Sequence, residues 1–131
     1  MENITLIEIP TVKDTRGNLA FIQNGTIPFN FKRVYYLFDV PSGAFRGGHS
    51  HIEQQEFLIA LSGSFEVTVD NGSVKETYFL NKPNIGLLIP NGFWRELQNF
   101  SSGAVCMVLN SDEFIEEDYI RDYKVFLKSK R

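Results

Sequence analysis

Turn-forming residues break this sequence into short apolar stretches almost to its end, and that punctuation restricts the fold more than any other feature. ITLIEIP alternates apolar and polar positions, KDTRGN follows as a turn, and LAFIQ reads as a second strand. KRVYYLFDV is rich in the β-branched and aromatic residues that suit a pleated, half-buried surface. PSGAFRGG reads as a loop, then EFLIALSG and SFEVTVD as strands meeting at Ser62-Gly63. Asn71-Gly72 has the composition of a two-residue type I′ hairpin leading into SVKETYFL. IGLLIP, NGFWRELQNF and AVCMVLN complete a set of roughly nine or ten strands. Only the end reads as helical, from Ser111 to Lys128, where Ile115, Tyr119, Tyr123 and Phe126/Leu127 recur at helical spacing. The expected class is all-β, a sandwich or barrel with a short C-terminal helix.

A chain of 131 residues holds one domain, 1–131, and 43% hydrophobic residues with twelve Phe can fill its core. The net charge of -3, without a basic run, argues against a nucleic-acid partner. No window is long and apolar enough for a membrane span. MENITLIEIP lacks the basic start and apolar stretch of a secretory leader, and the lone Cys106 cannot form an internal disulfide. The expected location is therefore the cytoplasm. Cys106 itself lies in an apolar run and reads as a small buried hydrophobe.

Both histidines of the chain fall in GGHSHIEQQE. Residues two apart on a strand share a face, so His49 and His51 present two imidazoles side by side. Glu56 would face the other way on a straight strand, but a turn through IEQQ can return its carboxylate to the pair. Two imidazoles and a carboxylate suit either a three-ligand metal site or metal-free acid–base chemistry near neutral pH.

Residues 43–63 match the first motif of the cupin jelly-roll barrels: Gly43, five residues, His49-x-His51, four residues, Glu56, six residues, Gly63. The second motif is partial, with Gly86, Pro90, Gly92 and Asn99 in place but Arg95 where a histidine ligand usually stands. A guanidinium has no lone pair for a metal and repels one. A narrower likeness runs through KRVYYLFD, RGGHSH, LSGS, IGLLIP, WRELQNFSSG and SDEFIEEDYIRDY. In these stretches the chain resembles the WxcM-like sugar 3,4-ketoisomerases, which act on dTDP-4-keto-6-deoxyglucose in making deoxysugars and aminosugars for bacterial surface glycans such as O-antigen.

That resemblance implies a homodimer, often with N-terminal strands exchanged, and catalysis without a metal or other cofactor. It implies His49 as the base, His51 as a partner that relays protons or holds the sugar, and Tyr35 as a hydroxyl shuttle; strand alternation sends Tyr36 to the opposite face, expected to be core. Arg46, Arg95 and Arg16 are the candidates for binding the nucleoside diphosphate, because arginine grips phosphate bidentately. Many members of the family carry Gln near the position of Glu56, so a metal-dependent cupin using His49, His51 and Glu56 stays open. A dTDP-sugar 3,5-epimerase and a non-catalytic sugar-nucleotide binder on the same barrel also stay open.

Overall fold

A computed structural model describes all 131 residues. In chain order the strands are β1 (Thr5–Glu8), β2 (Thr11–Val12), β3 (Leu19–Ala20), β4 (Arg33–Leu37), β5 (Arg46–His51), β6 (Glu56–Ser62), β7 (Phe65–Asp70), β8 (Lys75–Leu80), β9 (Ile85–Ile89), β10 (Trp94–Gln98), β11 (Val105–Asn110) and β12 (Tyr119–Ile120), followed by helix α1 (Tyr123–Ser129). One antiparallel sheet has the order β1-β9-β6-β11-β4, and the other β12-β5-β10-β7-β8. This is the jelly roll that the cupin resemblance implies. No helix is long and apolar enough to cross a membrane.

Strand alternation builds the space between the sheets. Leu58 and Ala60 of β6, Cys106 and Val108 of β11, and Leu87 and Ile89 of β9 meet Phe65, Val67 and Val69 of β7 and Leu97 of β10. Each is at most 3% exposed, and burying a large apolar side chain contributes roughly 1.5–3 kcal/mol. Cys106 is one of these residues, and burial pushes its thiol up from the ordinary range, as suits an inert core position. The residues between them, Phe57, Ile59, Leu88 and Leu109, point to the opposite side and pack beneath Ile9 and Ile27 of the N-terminal segment. Most of β6 is thus covered on both faces, which accounts for its unbroken apolar run.

Four details differ from the sequence reading. The helix begins only at Tyr123, because Asp122 caps it by accepting from the backbone N–H groups of Lys124 (2.8 Å) and Val125 (3.1 Å). Upstream, residues 111–122 form a strap with one 3-10 turn at Glu116–Asp118 and the short strand β12. The Asn71-Gly72 turn is a four-residue loop: Asp70 pairs with Lys75, and the Asn71 side chain accepts from Ser73 and Val74. Arg46–Gly48 belong to β5 instead of a loop. Tyr36 is 61% exposed on the outside of the edge strand β4, since the alternation that turns Tyr35 inward turns Tyr36 out.

Candidate active site

At one end of the inter-sheet space the inward positions turn polar. Glu56 begins β6 and pairs with Asn110, the last residue of β11. Facing them from the second sheet, His49 of β5 pairs with Arg95 of β10. The turn through residues 52–55 carries the chain from one sheet to the other, so the Glu56 carboxylate returns to the imidazoles. A bulge in β5 assists. Gly47 has φ +72°, and the register opposite β10 passes from Arg95↔His49 to Leu97↔Arg46. Arg46 and His49, three apart, consequently border the same cavity.

That cavity has a volume of about 490 Å³ and is lined by Arg33, Tyr35, Arg46, His49, Glu56, Arg95, Tyr119 and Arg121 together with Phe45, Phe114 and aliphatic side chains. A second cavity, of about 600 Å³ and mostly apolar, lies across the outer face of the first sheet.

Glu56 is the centre of the polar cluster. Its Oε1 accepts from Arg95 Nη1, while its Oε2 accepts from Tyr35 Oη at 2.8 Å and Asn110 Nδ2 at 2.9 Å. His49 Nε2 lies 3.8 Å from Oε1 and His51 Nε2 3.5 Å from Oε2. Burial pushes the Glu56 carboxyl up, but the Arg95 charge, aided by the neighbouring imidazoles, outweighs it and holds the group well below the usual carboxylate range. For His49 burial dominates and lowers the imidazole to about 4; Arg95 pushes the same way and Glu56 only partly opposes. His49 is therefore uncharged at neutral pH. Burial and then the Glu56 charge push the Tyr35 hydroxyl well up, so it keeps its proton.

The two histidines occupy different depths. His49 touches the cavity, whereas His51 is fully buried and does not line it, so His51 is not placed to hold a sugar. His51 Nδ1 lies 3.0 Å from Asp118 Oδ2, and the Tyr119 ring packs 4.4 Å from its ring. Arg46 stands exposed at the cavity rim. Arg95 is on the floor, 1% exposed, with one nitrogen on Glu56 and another 3.1 Å from the Phe93 carbonyl. With both terminal nitrogens engaged there, it is not placed to grip a diphosphate. Arg16 is outside the cavity altogether. It sits in the turn between β2 and β3, 87% exposed, and forms a two-point pair with Asp14.

Asp118, Asn110, Tyr119, Arg33 and Arg121 were not expected. Arg33 precedes Tyr35 by two on β4, so alternation alone places it on the same face. Its guanidinium donates to Tyr119 Oη at 3.0 Å and lies 5.2 Å from the Tyr35 ring. The others lie on a strap whose spacing imitates a helix, apart from Asn110, which continues the inward series Cys106, Val108.

The ligand atoms of His49, His51 and Glu56 lie within 4.8 Å of one another, close enough to share a metal ion. Arg95 stands inside that set with its guanidinium on Glu56. A divalent cation would have to displace a buried positive charge, so the residues present do not fit one.

The family model described as FdtA: WxcM-like, C-terminal, matches residues 2–131. The chain belongs to this family. A WxcM-like relative, the TDP-4-oxo-6-deoxy-alpha-D-glucose-3,4-oxoisomerase of Aneurinibacillus thermoaerophilus, is 42% identical over 129 residues, covering 98% of this chain and 92% of its own. A 3,4-ketoisomerase from Helicobacter canadensis is 40% identical, with a TM-score of 0.95 over 98% of this chain and 97% of that one. A histidine-to-asparagine variant of the 3,4-ketoisomerase QdtA from Thermoanaerobacterium thermosaccharolyticum, solved with TDP-4-keto-6-deoxyglucose, is 35% identical, with a TM-score of 0.97 over 99% and 95% of the two chains. The WxcM-like fold therefore extends over nearly the whole length of each.

Proposed function

We propose that this chain is a sugar-nucleotide 3,4-ketoisomerase, a single catalytic domain over residues 1–131 that moves the ketone of dTDP-4-keto-6-deoxyglucose from C4 to C3 through an enediol. The observation that carries the reading is the Glu56 cluster. One buried carboxylate holds a protonated Tyr35 and the Arg95 cation by hydrogen bonds and stands 3.8 Å from an uncharged His49 at the floor of an open cavity. The nature of the relatives supports the substrate.

His49 takes the hydrogen from C3 while the C4 carbonyl oxygen gains a proton, leaving an enediol. Return of the proton from His49 to C4, with loss of the hydroxyl proton at C3, gives the 3-ketone and restores the side chains. Tyr35 carries protons between the two oxygens, and Arg95 places positive charge beside them while they are electron-rich. Around the mouth, Arg46 and Arg33 offer guanidinium groups to the diphosphate, Arg121 would have to leave its two-point pair with Glu116 to join them, and the exposed rings of Phe45 and Phe114 offer surface to the base.

A homodimer with exchanged N-terminal strands is part of this proposal. The β2–β3 hairpin pairs only with itself, and its Val12 and Leu19 stand exposed with Phe21 beside the apolar cavity. On the edge strand, Val34 and Tyr36 are exposed, as is Phe38 just beyond it. Exchange is also the route by which Arg16 would meet a substrate, on the partner chain. The cytoplasm is the proposed location, and the lone buried thiol is at home in a reducing compartment.

Product NMR after incubation with dTDP-4-keto-6-deoxyglucose tests the assignment. A ketone at C3 with C5 unchanged, formed equally in the presence of a chelator, is the expected result. An unmoved ketone with inverted C5, or activity abolished by the chelator, would overturn it.

A further inference from the structure

We infer that Asp118 is a positioning residue for the reaction: it fixes a hydrogen on Nδ1 of His51, so that Nε2 is the nitrogen turned toward Glu56. The inference rests on the isomerase reading for its catalytic meaning and on geometry for its substance.

Two backbone N–H groups and the His51 imidazole converge on the Asp118 carboxylate. Oδ1 accepts from the Glu53 backbone at 2.8 Å; Oδ2 accepts from the Gln54 backbone at 3.1 Å and faces His51 Nδ1 at 3.0 Å. An ionised carboxylate only accepts, so the imidazole nitrogen beside it must carry the hydrogen. A bare Nδ1 would set its lone pair against Oδ2 at 3.0 Å, whereas Nε2 stands 3.5 Å from Glu56 Oε2, beyond a good hydrogen bond, so the hydrogen belongs on the closer side.

The ring cannot escape by turning over. It is fully buried, with the Tyr119 ring 4.4 Å away on one side and the His49 ring 4.8 Å away on another. The strap is itself anchored, since the Ile52 N–H donates to the Asp118 carbonyl at 2.9 Å and Tyr119 pairs with His51 across β12 and β5. What remains is Nε2, buried and without a hydrogen-bond partner, 3.5 Å from the Glu56 oxygen that accepts from Tyr35. Asp118 thus aims the exchangeable nitrogen of His51 at the carboxylate shared with the catalytic groups, without itself lining the cavity.

Nitrogen-resolved NMR of the imidazoles in the wild-type protein is the first test. A slowly exchanging hydrogen on His51 Nδ1 is expected; a bare Nδ1 overturns the inference whatever any variant does. The second test is Asp118→Asn, whose amide nitrogen cannot accept and must face either the Gln54–His51 side or Glu53. We expect kcat to fall by about tenfold or more with KM within about twofold, together with faster exchange of the His51 hydrogen. A folded variant with kcat within about threefold of wild type and an unchanged ring spectrum overturns the role. Should Asp118→Asn fail to fold, the wild-type spectrum still decides. Absence of ketoisomerase activity in the wild type would instead strike at the isomerase reading, leaving the ring spectrum to judge Asp118 separately.

Discussion

His49 and His51 are the same side chain two positions apart, yet depth gives them different work. His49 touches the cavity, while His51 lies behind it, between Glu56 and Asp118. His49→Asn should lower kcat by about 10²–10⁴-fold with substrate binding largely kept, measured by turnover and by calorimetric titration of the dTDP-sugar. The pH dependence of stability follows from the same burial. The unfolded chain protonates His49 near 6.5, but the folded protein refuses that proton until about 4. Between those values the unfolded state binds more protons, so stability should be level above pH 7 and fall as pH drops through this window, by up to about 3 kcal/mol. Urea unfolding at pH 7, 5.5 and 4.5 checks this, and His49→Asn should flatten the fall. Arg95 is the counterpart of Glu56. Arg95→Ala leaves a buried carboxylate unpaired, which should cost about 3–5 kcal/mol. It also removes the charge that keeps a metal away from His49, His51 and Glu56. Cobalt(II) should therefore raise the melting temperature of Arg95→Ala and leave that of the wild type unchanged.

Among the elements, β5 shows what local pattern can and cannot convey. The pairing of two histidines on one strand face was legible from spacing alone, and the return of Glu56 through a turn at IEQQ was legible as a possibility that the passage from one sheet to the other fulfils. The bulge was not legible as strand, since its glycines read as loop. Gly47 supplies a positive φ that a side chain adopts only with strain, and a Cβ there would lie 2.8 Å from Leu97 Cδ1. Gly47→Ala should lower stability by about 1–2 kcal/mol and reduce kcat, because Arg46 and His49 lose their common aim. Thermal melts beside turnover assays measure both effects. The strap misled for the opposite reason. Ile115, Tyr119 and Tyr123 are helically spaced, but Asp118 binds the turn before β6 and keeps residues 111–122 from winding into an α-helix. Propensity and periodicity are weak beside three tertiary hydrogen bonds, and no local signal announced a partner 67 positions away.

At the scale of the whole molecule, the first sheet carries two apolar faces, one turned to the core and one only partly covered by the N-terminal segment. The expected dimer would finish that covering. Light scattering on the purified protein should give twice the chain mass, and Val34→Asp with Phe38→Asp should shift it toward one chain by placing charge at exposed apolar positions. The strap has another consequence, in the order in which the chain is made. A nascent polypeptide halted before residue 118 already contains both histidines, Tyr35, Glu56 and Arg95, so every group assigned to the chemistry has been synthesised. It nevertheless lacks the carboxylate that aims one ring and the aromatic lid that keeps it from turning. On the proposed roles, alignment of the site waits for the last part of the chain to be made, and a truncated product would hold all the reagents with one ring unaligned.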